Sequence, residues 1–218
     1  MKEQDLKEEL RQLKQQVTEL SWTRDYIEIW QLMSRYAHLY HVFRRNDIID
    51  LFAKETPGVL VEIEDSGIYE GSDAPRRFFG AIISENRHKA PGFLGVHMTL
   101  NPLLEFNKAR TKAKGVWFSH GSVTLVRNGQ PISYWCLGKY DMEYVKERGQ
   151  WKILKLVYRM AYMSPCDKNW IEESQGASIT SAALSAQCPP DKPTTFHMPY
   201  SPYRVNIFQP PPPEPYND

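Results

Sequence analysis

Residues 112–127, 131–147 and 151–163 impose the strongest constraint on how this 218-residue chain can fold. They are three long runs rich in β-branched and aromatic residues. Only the turn signals at Arg127-Asn128-Gly129 and Glu147-Arg148-Gly149-Gln150 separate them. Strands joined by turns this short are antiparallel neighbours. A fourth run, about 94–105, precedes them and closes at Asn107-Lys108. A meander of this length needs something to cover its apolar face, and the cover must come from upstream.

Upstream, the period changes to that of a helix. Leu6, Leu10, Leu13, Val17 and Leu20 are spaced 4, 3, 4, 3, with Lys, Glu, Arg and Gln between them. This is an a/d stripe of under three heptads, too short to be stable alone in water. It serves either as a helix laid on its own domain or a neighbour, or as an oligomerisation helix. A second helix is predicted from about Thr23 to about Arg44, with Thr23 and Asp25 offering N-cap chemistry and early negative charge. Two apolar stripes run along it: Tyr26, Trp30, Met33, Ala37 and Tyr40, and beside them Ile29, Leu32, Tyr36, Leu39 and Phe43. Such a helix is buried broadly. Asn46 or Asp47 can cap a short helix over 48–53, before the break at Pro57-Gly58.

The segments 59–65 and 67–71 then read as a hairpin. Ser72-Asp73-Ala74-Pro75 opens a further helix carrying Phe78, Phe79, Ile82 and Ile83, which ends at HKAPG. Helices, a hairpin, a helix and an antiparallel meander make an α+β chain. Its expected units are a leucine-striped helix (1–21), one domain (22–163) and a Pro-rich extension (164–218). Residues 189–218 hold ten of the sixteen prolines, yet also Phe196, Tyr200, Tyr203, Val205, Ile207 and Phe208. That apolar content predicts a tail wrapped over a fold surface or a neighbouring subunit rather than a free polyproline segment, and a PxxP ligand role is only weakly specified.

Composition narrows the function classes. Lys+Arg 27 against Asp+Glu 26 leaves a formal charge of +1, which argues against a nucleic-acid binder working through a basic field. No run approaches the ~18 apolar residues of a membrane helix. The charged opening MKEQDLKEELRQLKQQ lacks the apolar region of a signal peptide. Cys136, Cys166 and Cys188 are odd in number and form no CxxC pair. The expectation is a cytoplasmic protein that does not engage membrane or nucleic acid. GxGxxG, GxxxxGK[ST] and HExxH are all missing, so neither a cofactor nor a metal is expected. His38 with His41, or His97 with His120, could hold a metal only without an evident carboxylate to complete the set.

Particular segments resemble a known family. LMSRYAHLYHVFRRNDIIDLF (32–52), GVHMTLNPLLEF (95–106), GVWFS (115–119) and KYDMEYVKERGQWKILKLVYR (139–159) are similar to the SnoaL-like branch of the nuclear transport factor 2-like superfamily. The likeness covers about 22–163 and leaves out the leucine stripe and the tail. It implies a cone-shaped fold, with a curved antiparallel sheet packed on helices around a pocket. Within the branch, the chain resembles bile acid 7α-dehydratases and, more distantly, scytalone dehydratases. By that resemblance Tyr36 and His97 fall on functional positions, His120 falls near a second histidine, and Arg159 lies within about a residue of a pocket arginine. Where scytalone dehydratases carry a Tyr-Asp pair, this chain has Tyr40 and His41, so the carboxylate is absent.

These residue types suit chemistry beside a carbonyl. A histidine can take a proton from an acidic C–H and return it to a departing hydroxyl. A tyrosine hydroxyl can hold the enolate-like oxygen. His97, Tyr36 and His41 are the expected catalytic residues, and Tyr40, Trp117, His120 and Arg159 the expected substrate-binding ones. The expected activity is a cofactor-free dehydratase or isomerase acting on an apolar hydroxy-carbonyl compound, polycyclic or aromatic, in a homo-oligomer (dimer or trimer). Plainer readings stand beside these. His97 and His120 can be satisfied structural histidines, Tyr36 and Tyr40 core tyrosines, and His41 a helix-end residue facing water. Trp117 and Trp135 can be packing residues, and Arg159 half of an internal ion pair. A binding protein without turnover, or an assembly protein whose pocket is filled by side chains, would use the same fold.

Overall fold

A computed structural model describes residues 3–82, 89, 91–175 and 186–217. The elements are α1 (Glu3–His41), α2 (Arg45–Ile49), β1 (Leu60–Ile63), β2 (Ile68–Glu70) and α3 (Arg76–Ile82), wound as a π-helix. Then follow β3 (Leu94–His97), β4 (Leu100–Phe106), β5 (Lys112–Arg127), β6 (Gln130–Glu147) and β7 (Gln150–Pro165). The three long strands match the meander expected from sequence. Ile83, expected in the third helix, lies outside the described residues.

The helix boundary expected near Thr23 does not occur. Nothing between Leu20 and Asp25 breaks a helix, and the Thr23 hydroxyl turns back to the Glu19 carbonyl at 3.3 Å instead of capping a new start. Asp25 is also used differently. It is 3% exposed and receives Lys146 Nζ at 2.5 Å and Trp151 Nε1 at 3.0 Å, which clamps α1 to the β6–β7 hairpin. Buried positions along the helix follow Asp25, Ile29, Met33, Tyr36 and Ala37, a line that draws on both expected stripes and leaves Trp30 exposed. Every residue from Asp5 to Leu20 is exposed, so the leucine stripe packs on none of the other described residues. The helix ends at a left-handed Phe43 (φ 58°), and α2 begins three residues earlier than expected, with no side-chain cap.

The sheet runs β2-β1-β7-β6-β5-β3, and β4 shares the β5 edge with β3. The single strand expected over 94–105 is thus two. Its partner β5 pairs Leu94–His97 along its later half and Leu100–Phe106 along its earlier half. Asn101 adopts a left-handed φ of 46° where the register shifts. β6 pairs antiparallel to both β5 and β7, with irregularities at Leu137/Gly138 and Glu143/Tyr144 that bend it. β1 joins β7 in parallel, a long-range pairing that sets Leu60–Ile63 beside Lys155–Tyr158. The inner face carries Trp117, Tyr140, Met142, Tyr144, Ile153, Leu156 and Tyr158 against Ile29, Met33 and Tyr36 of α1 and Phe78 and Phe79 of α3. Alternation with period two sends these residues inward and their neighbours outward.

The tail covers the outer face. Glu62, itself buried, accepts hydrogen bonds from the Thr195 amide (2.6 Å), the Thr194 hydroxyl (2.7 Å) and the Thr195 hydroxyl (2.8 Å). Tyr200 N–H donates to the Ala161 carbonyl at 2.7 Å. Lys139 Nζ donates to the carbonyls of Phe208 (3.2 Å) and Pro210 (3.0 Å), and the Phe208 ring lies 5.6 Å from that of Phe118. Of the apolar residues among the prolines, Phe196, Tyr200 and Phe208 are half-buried against the chain's own sheet, one of the two destinations their composition suggests, whereas Tyr203, Val205 and Ile207 stay exposed.

Candidate active site

Three of the expected residues meet at one place. Tyr36 and Tyr40 from α1 and His97 from the end of β3 line a small cleft with Ile63, Glu64, Tyr140 and Tyr158. Helical spacing brings Tyr36 and Tyr40 onto one face, their rings 6.2 Å apart. Tyr140 and Tyr158 are register partners on β6 and β7, with ring centroids 4.8 Å apart. The His97 ring stands edge-on to Tyr40 at 5.5 Å and to Tyr158 at 6.4 Å.

Two glycines make this arrangement possible. A Cβ at Gly121 would run into the Val96 carbonyl, and would lie 2.6 Å from Cys136 Sγ and 3.0 Å from His97 Nδ1. A Cβ at Gly138 would lie 2.6 Å from the Tyr158 ring and hydroxyl. The sheet is bare at the two points where the imidazole and a phenol approach it most closely.

The electrostatics follow from burial. His97 is held down at about 4, through burial first and the neighbouring His41 second, so its imidazole is neutral at physiological pH. Its Nδ1 lies 3.6 Å from Cys136 Sγ. Burial pushes the Cys136 thiol up to about 12, so the thiol stays neutral beside it. The tautomer with its proton on Nδ1, turned to the sulfur, keeps the Nε2 lone pair available to accept a proton. Burial likewise drives Tyr36, Tyr140 and Tyr158 well above the ordinary tyrosine range. All three hydroxyls stay protonated and available as donors. The space left among these side chains is about 10 Å³, room for about one water.

His41 does not line this space. Its Nε2 lies 2.8 Å from the backbone nitrogen of His97 and 3.0 Å from its carbonyl oxygen, so it holds the strand and not the ligand. Three expected binding residues stand elsewhere. Trp117 is fully buried, and its Nε1 donates to the Tyr144 hydroxyl at 2.9 Å. His120 falls on the outer face, stacked on Trp135 with centroids 5.5 Å apart, because its partners Val116 and Phe118 mark the outward side of β5. Arg159 is also on the outer face, 3.7 Å from Asp141 and 5.0 Å from the centre of the Phe196 ring.

Sequence reasoning missed Glu64, Tyr140, Tyr158 and Cys136. For the two tyrosines the signal was present, since they fall on the inward parity of their strands. Glu64 gave no such sign. It follows the last residue of β1 in a left-handed conformation (φ 55°), and that turn carries a buried carboxylate to the cavity wall. The carboxylate absent at His41 thus has a counterpart from a different element. Among the described residues no three His, Cys, Asp or Glu side chains are grouped to hold a metal. No described helix is long and apolar enough to cross a membrane.

Comparison with known proteins places this geometry in context. A family model described as a SnoaL-like domain matches residues 22–157. No curated protein matches the chain. Among solved structures, a hexachlorocyclohexane dehydrochlorinase of LinA type 3 from Novosphingobium barchaimii LL02 is similar at 21% identity, TM-score 0.58, covering 69% of this chain and 96% of that one. A type 2 dehydrochlorinase is similar at 22% identity, TM-score 0.57, covering 67% and 92%. A scytalone dehydratase-like protein from Novosphingobium aromaticivorans DSM 12444 is similar at 19% identity, TM-score 0.54, covering 75% and 99%. At such identities the likeness is one of fold.

Proposed function

Since this chain belongs to the SnoaL-like domain family, we propose that it is a cofactor-free lyase or isomerase acting by acid–base chemistry on an apolar hydroxy-carbonyl compound, polycyclic or aromatic. The observation that carries this reading is the convergence of one neutral imidazole, several protonated tyrosine hydroxyls and one carboxylate on a single small cleft. His97 takes the proton from the carbon beside the carbonyl. Tyr36, with Tyr140 and Tyr158 behind it, donates to the carbonyl oxygen as negative charge develops there. The imidazolium then returns the proton to the departing hydroxyl, which leaves as water, or to a different carbon in an isomerisation. Glu64 on the same wall favours the transient imidazolium. Admitting a ring requires Tyr40, at the half-buried rim, to swing outward.

The test is turnover of a panel of cyclic β-hydroxy-ketones, followed by the absorbance of the conjugated product. His97→Ala should lower the rate by about 10²–10⁴-fold and Tyr36→Phe by about 10²-fold. A His97→Ala variant as fast as the parent sinks the mechanism. One observation favours a second reading: a space the size of one water suits an assembly protein whose pocket is filled by side chains. That reading expects neither binding of these compounds nor product.

The partner proposed for the leucine stripe is a second copy of this chain. Leu6, Leu13 and Leu20 at d positions, with Leu10 and Val17 at a, are exposed along a projecting helix. A parallel pairing sets Glu9 at g against Lys14 at e of the other helix.

A further inference from the structure

We propose that a second ligand site lies on the outer face of the sheet, beneath the C-terminal tail. It takes a small molecule with an apolar or aromatic body and a carboxylate. The site shares no residue with the His97 cavity. It is a space of about 300 Å³, at the lower end of small-molecule pockets and far larger than the inner one.

Leu137, Met160 and Tyr162 form its floor, and Phe196, Met198 and Phe208 its roof. The roof is held in place at several points. Thr194 and Thr195 bind Glu62 before the arch begins. Tyr200 N–H is fixed to the Ala161 carbonyl within it, and Lys139 holds the Phe208 and Pro210 carbonyls at its far end. An arch pinned in this way cannot collapse onto the floor, so the apolar walls stay apart.

Charge selects the ligand. Arg159 and Arg204 line the space, and no carboxylate does so among the described lining residues. The nearest carboxylate oxygen to Arg159 is that of Asp141, 3.7 Å away, too long for a hydrogen bond. The guanidinium is already stacked over Phe196, which orients its plane. A planar fork so oriented, with an aromatic wall beside it, matches a carboxylate on an apolar body. This tail lies beyond the 22–157 match, so the site is a feature of this chain's extension.

The experiment uses the full chain and two probes, 2-naphthoate and its neutral methyl ester. Calorimetry gives their affinities, and ¹³C-methyl-methionine spectra report where they bind. The expected result is saturable 2-naphthoate binding that shifts the Met160 and Met198 methyl signals. Arg159→Gln should weaken 2-naphthoate by about 10-fold or more and leave the ester unchanged. Ala161→Trp, which fills the space, should abolish both. The proposal is overturned if 2-naphthoate shifts neither methyl, or if Arg159→Gln binds it as tightly as the parent. It is also overturned if the two methyl signals move with protein concentration alone and no longer respond to 2-naphthoate, since a second chain then occupies the space. Should Ala161→Trp fail to fold, the Arg159→Gln comparison decides alone.

Discussion

The backbone N–H of His97 donates to Nε2 of His41 at 2.8 Å. This bond ties the last turn of α1 to β3, the strand that carries the cavity imidazole. It requires a bare Nε2, and burial favours that neutral form by lowering the His41 pKa. Protonation at Nε2 turns the same nitrogen into a donor toward the His97 carbonyl, 3.0 Å away. The position of one histidine thus depends on the protonation of the other.

Acid should destabilise the protein through His97. Its folded pKa of about 4 lies below the unfolded value of 6.5, so the unfolded chain binds more protons on acidification. The stabilisation from the neutral form is complete above pH 6.5 and is lost as pH falls through 4. The loss is about 3 kcal/mol between pH 7 and pH 4, with His41 adding in the same direction. Urea unfolding across this range checks it, and His97→Gln should flatten most of the slope. An equally steep slope in that variant refutes the assignment.

Gly121→Ala should destabilise the fold by about 2–3 kcal/mol. The added methyl meets the Val96 carbonyl, which is backbone and cannot swing away, as well as Cys136 Sγ. Gly129→Ala serves as the comparison, since its methyl meets nothing and any cost there comes from its φ of 76° alone. Thermal melts that rank Gly129→Ala as the more damaging substitution contradict the packing argument.

Asp25→Ala should cost about 3 kcal/mol. It strands the Lys146 ammonium and the Trp151 indole N–H, both of which now reach one buried oxygen. Asp25→Asn keeps an acceptor and should recover part of the loss. Chemical denaturation of the two variants side by side measures the difference.

Replacing Leu10 and Leu13 with Glu should reduce self-association without changing the melting temperature of the folded domain. Both side chains are exposed and pack on none of the other described residues, so the substitutions leave the folded domain's packing intact. Sedimentation velocity should show a shift toward the monomer. An unchanged sedimentation coefficient at every concentration removes the helix from the interface.

Much of the architecture was legible in local pattern. The period-two runs after Lys112 and the turns at Asn128-Gly129 and Arg148-Gly149 specify the meander, because alternation and short turns act on neighbouring residues. Tyr36, Tyr40 and His97, singled out from the sequence, lie together on one wall. The false break at Thr23 arose because capping residues were visible while their real partners were not. Asp25 looked like a helix start until Lys146 and Trp151 arrived from more than a hundred residues away.

The sequence by itself determined the order of the elements and the alternation along each long strand, since these depend on interactions within a few residues. Which faces of different strands coincide was a matter of register: His97 pairs with Gly121, which puts the adjacent His120 on the opposite face, and Arg159 pairs with Lys139 on that same outer side. Only the tertiary structure decided that β1 pairs in parallel with β7, that its last turn carries Glu64 to the cavity, and that four tyrosines leave room for a single water. It also decided that the Pro-rich tail roofs a larger space on the other side of the sheet. Volumes of this kind are small differences between the positions of side chains that lie far apart in the chain, and close packing fixes them only once every wall is in place.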